Sequence, residues 1–381
     1  MVADVDLALP DATRTHTIEV ARWFAELGLK LELVANGPDP HLPGVRFHHT
    51  GATNLSLPER LVRVNATALR VLWSRRRECR GCYVRHYWGQ LPVLLAAKAL
   101  GYSVVTQVDD IPYGPGYALR APGLRAWIAD RVRRWAAVLM GLSATNVIAV
   151  TEGIRSLLIR DYRIPPNKVH VLPNGVDLDV FTPMPREEAI QKLGLDPACQ
   201  YVVFVGRFAE WVDFDTLLQA FASVINEHPS ARLVLVGDGP ERSKVEHLID
   251  ELGLEKSVQI TGFIADRRRV SEMIGAATAC LTANRGEHRS RIGVSPVKLA
   301  EYFAVGRAVV ANDLPGVREM IESNGAGIVV ADDAQAMASA VGTLLDDPAH
   351  ADDLGAAGRR AAETSYSWRT IVERTISLFG D

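Results

Sequence analysis

Apolar residues along the chain come in short continuous runs, separated by longer windows in which they recur every three or four positions. Short runs fit buried strands, and the longer windows fit amphipathic helices. Their alternation predicts parallel sheets with helical crossovers, because parallel neighbours need a long connection. In the first half, strands are predicted at 5–9, 30–35, 82–85, 103–108, 146–150 and 168–172. Helices are predicted between them, at 14–27, 59–77, 90–100, 120–142 and 152–161, with Ile18, Ala21, Trp23 and Ala25 illustrating the spacing in the first. Turn-forming residues then dominate Pro173-Asn174-Gly175-Val176-Asp177 and Phe181-Thr182-Pro183-Met184-Pro185, which places the domain boundary there. The alternation restarts with strands at 201–205, 232–236, 257–260, 279–281, 308–311 and 327–330. The stretch 332–379 reads as helix throughout and closes with a helix at 366–379. Six strands in each half predict two doubly wound sheets, whose ligands lie at the carboxyl ends of the strands.

Composition agrees with two domains and narrows the class. A chain of 381 residues with 48% hydrophobic and 23% charged residues is an ordinary globular sequence, which excludes long disorder, collagen-like repeats and coiled coils. The net charge of −3 conceals a split. Residues 1–180 hold 22 Lys and Arg against 16 Asp and Glu, and residues 181–381 hold 20 against 29. Either the basic half faces an anionic surface or substrate, or the split is a chance asymmetry. Four cysteines make no disulfide framework, and Cys79-Arg80-Gly81-Cys82 lacks a second ligand pair for zinc, so reduced thiols and no metal are expected. The sequence does not open with the layout of a signal peptide, and the apolar stretch 135–150 is too short and too polar to span a bilayer. A cytoplasmic protein is expected, either soluble or peripheral at the inner face of the membrane.

Chemistry concentrates at predicted strand ends. In Gly293-Val294-Ser295-Pro296-Val297-Lys298-Leu299-Ala300-Glu301-Tyr302, Ser295 suits an N-cap and Pro296 the first helical turn. The amides of Val297, Lys298 and Leu299 then point out of the helix start with the positive end of its dipole, which makes an anion site. Lys298 adds a full charge, and Glu301 could accept two hydrogen bonds from a diol such as a ribose. Arg285, Glu287, His288, Arg289 and Arg291 crowd the preceding loop. Gly206-Arg207 follows the strand at 201–205 and places a guanidinium where it could bind phosphate bidentately. No Gly-x-Gly-x-x-Gly stands in a strand-to-helix context, so the dinucleotide signal is missing. His16, before the first predicted helix, could orient a hydroxyl or carry a proton. Asp109-Asp110 and Arg85-His86 end two further strands, where they are either acceptor contacts or plain loop.

These residues, in order and spacing, resemble family-4 glycosyltransferases. The resemblance is carried by Val171-Leu172-Pro173-Asn174-Gly175-Val176-Asp177, Phe204-Val205-Gly206-Arg207, Leu235-Val236-Gly237-Asp238-Gly239-Pro240, Ile260-Thr261-Gly262-Phe263 and the run from Ser295 to Gly306. Asp313-Leu314-Pro315-Gly316-Val317-Arg318-Glu319 and Ser367-Trp368 extend it. It implies a GT-B fold: two Rossmann-like doubly wound domains, 1–180 on the acceptor side and 181–364 on the donor side, with an interdomain cleft. A helix in 365–381 would cross back onto the first domain. It further implies a metal-independent transfer from a nucleotide sugar with retention of configuration, needing no cofactor. Arg207 and the amides of Val297 to Leu299 would contact the diphosphate, with Gly206, Ser295 and Lys298 beside it. Glu301 would hold the ribose, and Gly262, Phe263 and Ile264 would flank the base. His16, Arg85 and Asp109 would serve the acceptor.

Two positions depart from the family pattern. Gly293 stands where the family has the first of two glutamates, and Val212 stands where it commonly has a lysine. Glu287 or His288 is the expected substitute for the first, and Arg289, Arg291 or Lys298 for the second. A subset with Ser-Pro-x-Lys-Leu-x-Glu and no first glutamate is the nearest match. The function expected is a retaining glycosyltransferase acting on a sugar, lipid-linked or small-molecule acceptor in glycan, glycolipid or glycosylated-metabolite biosynthesis, with no nucleic-acid partner. The alternatives are a catalytically inactive GT-B nucleotide-binding or regulatory protein, or a sugar-nucleotide enzyme such as an epimerase. Arg125, Arg131, Arg133 and Arg134 around Trp127 and Trp135 fit a helix resting on an anionic membrane, or equally an ordinary helix with a charged outer face.

Overall fold

The computed structural model describes residues 1–9, 12–52, 55–85, 88–110, 124–285 and 292–380. In chain order these form β1 (Val2–Asp6), α1 (Ala12–Glu26), β2 (Leu31–Asn36), β3 (Val45–His49), α2 (Leu57–Arg75), β4 (Gly81–Arg85), α3 (Leu91–Ala99), β5 (Ser103–Val108), α4 (Leu124–Ser143), β6 (Asn146–Ala149), α5 (Glu152–Arg160) and β7 (Val169–Val171). There follow α6 (Arg186–Leu193), β8 (Gln200–Val205), α7 (Phe214–Glu227), β9 (Ala231–Val236), α8 (Arg242–Glu251), β10 (Val258–Gly262), α9 (Arg267–Gly275) and β11 (Ala277–Thr282). The chain ends with α10 (Val297–Val305), β12 (Ala308–Asn312), α11 (Val317–Glu322), β13 (Gly327–Val330), α12 (Ala334–Asp346), α13 (Pro348–Ala361) and α14 (Trp368–Ser377).

Two compact units result. Unit 1 is Met1–Asn174 with Trp368–Asp381, and unit 2 is Gly175–Ser367. The division falls inside the turn-rich stretch, six residues before the expected 181. Unit 1 holds a sheet in the order β3-β2-β1-β4-β5-β6-β7, and unit 2 one in the order β10-β9-β8-β11-β12-β13. Every strand pairing in both is parallel. Strands covered by helices on both faces must be apolar throughout, and β11 is buried at every position. Strand order reverses direction between β1 and β4 and between β8 and β11, which opens a ligand crevice at the carboxyl end of each sheet.

Three expectations are corrected. Unit 1 has a seventh strand, β3, because Val-Arg-Phe-His-His is a half-exposed edge strand with no continuous apolar run. The first strand ends at Asp6 instead of reaching 9, where the Leu9 amide turns back to the Asp6 carbonyl at 3.2 Å. The helical stretch after 332 breaks at Ser367, which is extended (φ −67°, ψ 142°) and forms a parallel bridge with Val176. Beyond that break, Trp368, Ile371 and Val372 of α14 join the apolar core of unit 1 with Phe24, Leu33 and Tyr83. No described helix is long and apolar enough to cross a membrane. Among the described residues no group of His, Cys, Asp and Glu could hold a metal ion, and all four cysteines are free thiols.

Candidate functional site

The carboxyl edge of the unit 2 sheet is built by close backbone approach. Gly206 leaves β8 with φ 152°, and a Cβ on it would come within 2.6 Å of the Lys298 ammonium. Gly237 leaves β9 with φ 144°, and its Cβ would lie 1.9 Å from the Gly206 carbonyl oxygen. Only glycine adopts such angles and leaves room for the neighbouring chain. The space lets Lys298 lie with Nζ 4.0 Å from the centre of the Phe204 ring. Arg207, next along, is exposed and has no partner among the described residues. A guanidinium projecting without a counter-ion from a strand end has its five donors available to an anion.

Helix α10 faces this edge. Its N-cap is Pro296 (φ −71°, ψ 125°), with no side-chain capping bond, so Ser295, the expected cap, lies one residue ahead of the observed one. The Leu299 amide donates to the Pro296 carbonyl at 3.1 Å, which removes it from the set expected to reach a phosphate and leaves Val297 and Lys298 at the positive end of the dipole. The buried Tyr302 hydroxyl accepts from the Val205 amide at 2.8 Å and donates to the Leu281 carbonyl at 3.2 Å. One side chain thus fixes α10 to the ends of both β8 and β11. Glu301 is 13% exposed, and Arg267 Nη2 stands 3.7 Å from its carboxylate. Burial pushes the Glu301 carboxyl upward, while Arg267 and Lys298 pull it the other way. Arg267 opens α9 and lies 5.1 Å over the Phe181 ring. At the end of β10, Gly262 (φ 75°) turns the chain, Phe263 is 57% exposed and Ile264 packs on the core.

The two departures have structural causes. Val212 is buried in the core cluster with Phe204, Phe208 and Phe214, and it bridges to Asn284. Gly293 has φ 73°, and a Cβ on it would meet the Pro315 carbonyl oxygen at 2.6 Å. The Val294 amide donates to that same carbonyl at 3.0 Å. A side chain at 293 is therefore excluded by the backbone itself. Arg285 holds the 207–215 loop from the end of β11: its Nε donates to the Glu210 carbonyl at 2.9 Å, and Nη1 pairs with Asp215 at 3.0 Å. Glu287, His288, Arg289 and Arg291 lie outside the described residues.

In unit 1, His16, Arg85 and Asp109 meet at the carboxyl ends of β4 and β5. Arg85 Nε donates to Asp109 Oδ2 at 2.7 Å, and its Nη1 donates to the Thr13 carbonyl at 3.1 Å. Gln107 donates through Nε2 to Asp109 Oδ1 at 2.7 Å and lies 2.8 Å from His16 Nε2. Tyr83 donates to Gln107 Oε1 at 2.5 Å, which orients the amide so that His16 Nε2 must accept. The His16 proton then sits on Nδ1, which is buried without a partner among the described residues, and the ring meets Trp368 edge-on at 5.2 Å. Burial, reinforced by Arg85, lowers His16 to about 3. At neutral pH the ring is therefore uncharged and carries a single N–H donor. Burial pushes Asp109 upward, but Arg85, His16 and Gln107 outweigh it and hold the carboxyl below its ordinary range.

Tyr302, Arg267 and Gln107 were not among the expected site residues. Tyr302 and Gln107 look like core positions in sequence, and only the strand ends they join give them a role. Arg267 opens a run of three arginines behind Asp266, a helix-cap pattern that hides a long-range partner.

Two doubly wound parallel units, the second with a cation-lined carboxyl edge beside a helix start, define a GT-B fold. The family model "Glycosyl transferases group 1" matches residues 185–361, and "Glycosyltransferase Family 4" matches 13–180. An alpha-maltose-1-phosphate synthase of Mycobacterium tuberculosis is 30% identical over 281 residues, covering 67% of this chain and 70% of that protein. A D-inositol 3-phosphate glycosyltransferase of Kineococcus radiotolerans is 27% identical over 399 residues, covering 96% and 89%. Among solved structures, a sucrose-phosphate synthase from Thermosynechococcus elongatus superposes with a TM-score of 0.77 at 21% identity, over 97% of this chain and 93% of that one. Anabaena HepE in complex with UDP gives 0.74 at 18% identity, over 98% and 97%. The chain belongs to the group 1, family 4 glycosyltransferases.

Proposed function

We propose that the chain transfers a sugar from a nucleoside diphosphate donor to an acceptor hydroxyl, with retention of configuration and without a metal. The carrying observation is the exposed Arg207 guanidinium, free among the described residues, placed at the strand end against which Lys298 lies and beside the start of α10. The departing nucleoside diphosphate gains negative charge in the transition state, and fixed cations and amides stabilise it without reorganising. Arg207, Lys298 and the amide of Val297 take that role. Glu301, held by Arg267, accepts hydrogen bonds from the ribose hydroxyls. Phe263 supplies an exposed aromatic face for the base.

The Ser-Pro-x-Lys-Leu-x-Glu subset is the assignment that suits Gly293, because its backbone leaves no room for the family's first acid. His16 Nδ1, Arg85 and Asp109 are assigned to the acceptor side, with His16 as a neutral hydrogen-bond donor. The acceptor class is a sugar, a lipid-linked sugar or a small molecule. UDP, the nucleotide bound by Anabaena HepE, is the first donor base to try.

The test is incubation with a panel of nucleotide sugars and acceptors, reading release of nucleoside diphosphate with and without EDTA, and the anomeric configuration of the product by NMR. Release that survives EDTA and gives a retained anomer supports the proposal. Nucleotide binding without release across the panel would reassign the chain to a binding or regulatory role. Interconversion of nucleotide sugars without release would reassign it to an epimerase-type reaction.

A further inference from the structure

Helix α4 buries two alanines, a glycine and Met140 and turns a row of large apolar residues outward. Ala136, Ala137 and Met140 are buried, and Gly141 sits so close to Ile164 that a Cβ on it would come within 2.2 Å of that side chain. On the outer side, Ile128, Val132, Trp135, Leu139 and Leu142 are 42% to 62% exposed. Their spacing of three and four residues makes one continuous stripe. Trp127 flanks it at 58% exposure, and the Arg131 guanidinium stacks 5.1 Å over that ring. Single exposed apolar residues are common on protein surfaces, but a contiguous stripe with two tryptophans marks an interaction surface.

The charge around the stripe selects the partner. α4 packs beside α3, and α3 beside α2. These three helices hold nine Lys and Arg against two Asp and Glu; Arg60 and Arg75 pair with Asp4 and Glu32 of the sheet, and the remaining cations still outnumber the acids of the three helices. The outer surface of α2 adds Trp73, with Arg76 stacked 4.2 Å over its ring.

We propose that this face docks on an anionic lipid bilayer, with α4 lying in the headgroup plane. Tryptophan rings place their apolar bodies at the acyl boundary and keep the indole N–H among the headgroups. Arginine stems lie along the apolar surface while the guanidinium reaches lipid phosphate. α4 lies on the membrane and does not span it, since no described helix is apolar enough to cross. A symmetric pairing of two copies through α4 would instead set one basic face against the other. The inference rests on unit 1 alone and does not depend on the reading of the donor site.

The test uses the full chain and sucrose-loaded vesicles of phosphatidylglycerol mixed with phosphatidylcholine, against phosphatidylcholine alone. The protein is expected to sediment with the anionic vesicles, less so as salt rises, with its tryptophan fluorescence quenched by brominated lipid. The double variant Trp135→Ser, Leu139→Ser and, separately, Arg131→Glu, Arg134→Glu should each weaken partitioning by about tenfold or more. Thermal melting checks that each variant is folded, and the second pair leaves the apolar stripe intact, so it decides the matter where the first unfolds. Absence of sedimentation with anionic vesicles, or unchanged partitioning in folded variants, overturns the proposal. So does a vesicle-free dimer in sedimentation velocity that disappears in the Trp135→Ser, Leu139→Ser variant, because a second copy would then be what covers the stripe.

Discussion

At position 293 the family's acid and this chain's glycine are not interchangeable. With φ at 73° and the Pro315 carbonyl 2.6 Å from where a Cβ would sit, Gly293→Glu meets both a strained backbone and a clash. The substitution should cost about 2 kcal/mol or more of stability in urea denaturation and should not raise turnover. A stable, more active variant would mean the loop carries an acid readily. Glu301→Ala tests the other end of the motif. Losing two hydrogen bonds to a diol corresponds to a roughly 10- to 100-fold rise in donor KM, with kcat changed less. An unchanged KM would remove Glu301 from the ribose site. His16 makes a pH prediction. Its folded pKa, about 3, lies below its unfolded value near 6.5, so the unfolded chain binds the extra proton. His16 therefore contributes its full stability above pH 6.5 and loses it as pH falls from there toward 3. His16→Phe should flatten the fall in melting temperature between pH 7 and 5, and an equal fall in both proteins would mean the ring is not buried neutral.

At the scale of elements, legibility follows burial. The buried strands β8, β9, β11 and β12 are apolar runs that sequence alone marks, and the half-buried outer strands β10 and β13 keep enough apolar positions to be found as well. β3 is hidden because an edge strand exposes one side, so Arg46, His48 and His49 interrupt its apolar pattern. The start of α10 is legible for a related reason: Ser295-Pro296 announces a helix. Which of the two residues caps it depends on the extended backbone at Pro296, which composition does not determine. Contacts between elements are the least legible. Nothing local to Tyr302 says that its hydroxyl joins the Val205 amide to the Leu281 carbonyl. Tyr302→Phe leaves a backbone donor without its acceptor, at a cost of about 1 to 3 kcal/mol. Because that donor immediately precedes Gly206-Arg207, donor affinity should fall along with stability. Lost stability with unchanged donor binding would mean the strand end holds its place without the hydroxyl.

At the scale of the molecule, the charge split now has a finer grain. On the proposed function the acidic half would hold its anion with a few local groups, Arg207, Lys298 and a helix start, while the surplus of the basic half is concentrated on helices α2, α3 and α4. The chain also enters unit 2 at Gly175 and leaves it at Ser367, so the last segment belongs to the first unit. Trp368, Ile371 and Val372 lie in the unit 1 core. Ser103 Oγ donates to the Phe379 carbonyl at 2.5 Å, and Asn146 Nδ2 donates to that of Leu378 at 2.6 Å. Ending the chain after Ser367 would remove a buried tryptophan and two apolar neighbours from one core only. Unit 2 keeps its own sheet and its own apolar clusters, so the damage should be confined. Amide hydrogen exchange on the truncated protein should show lost protection in β1, β4 and β5 and near-native protection in β8, β9 and β11. Binding of nucleoside diphosphate should survive, since Arg207, Lys298 and Glu301 all lie in the unit that is left whole. Uniform loss of protection across both sheets would mean that the two units fold as one cooperative body, and that the last helix stabilises the donor site as much as the core it enters.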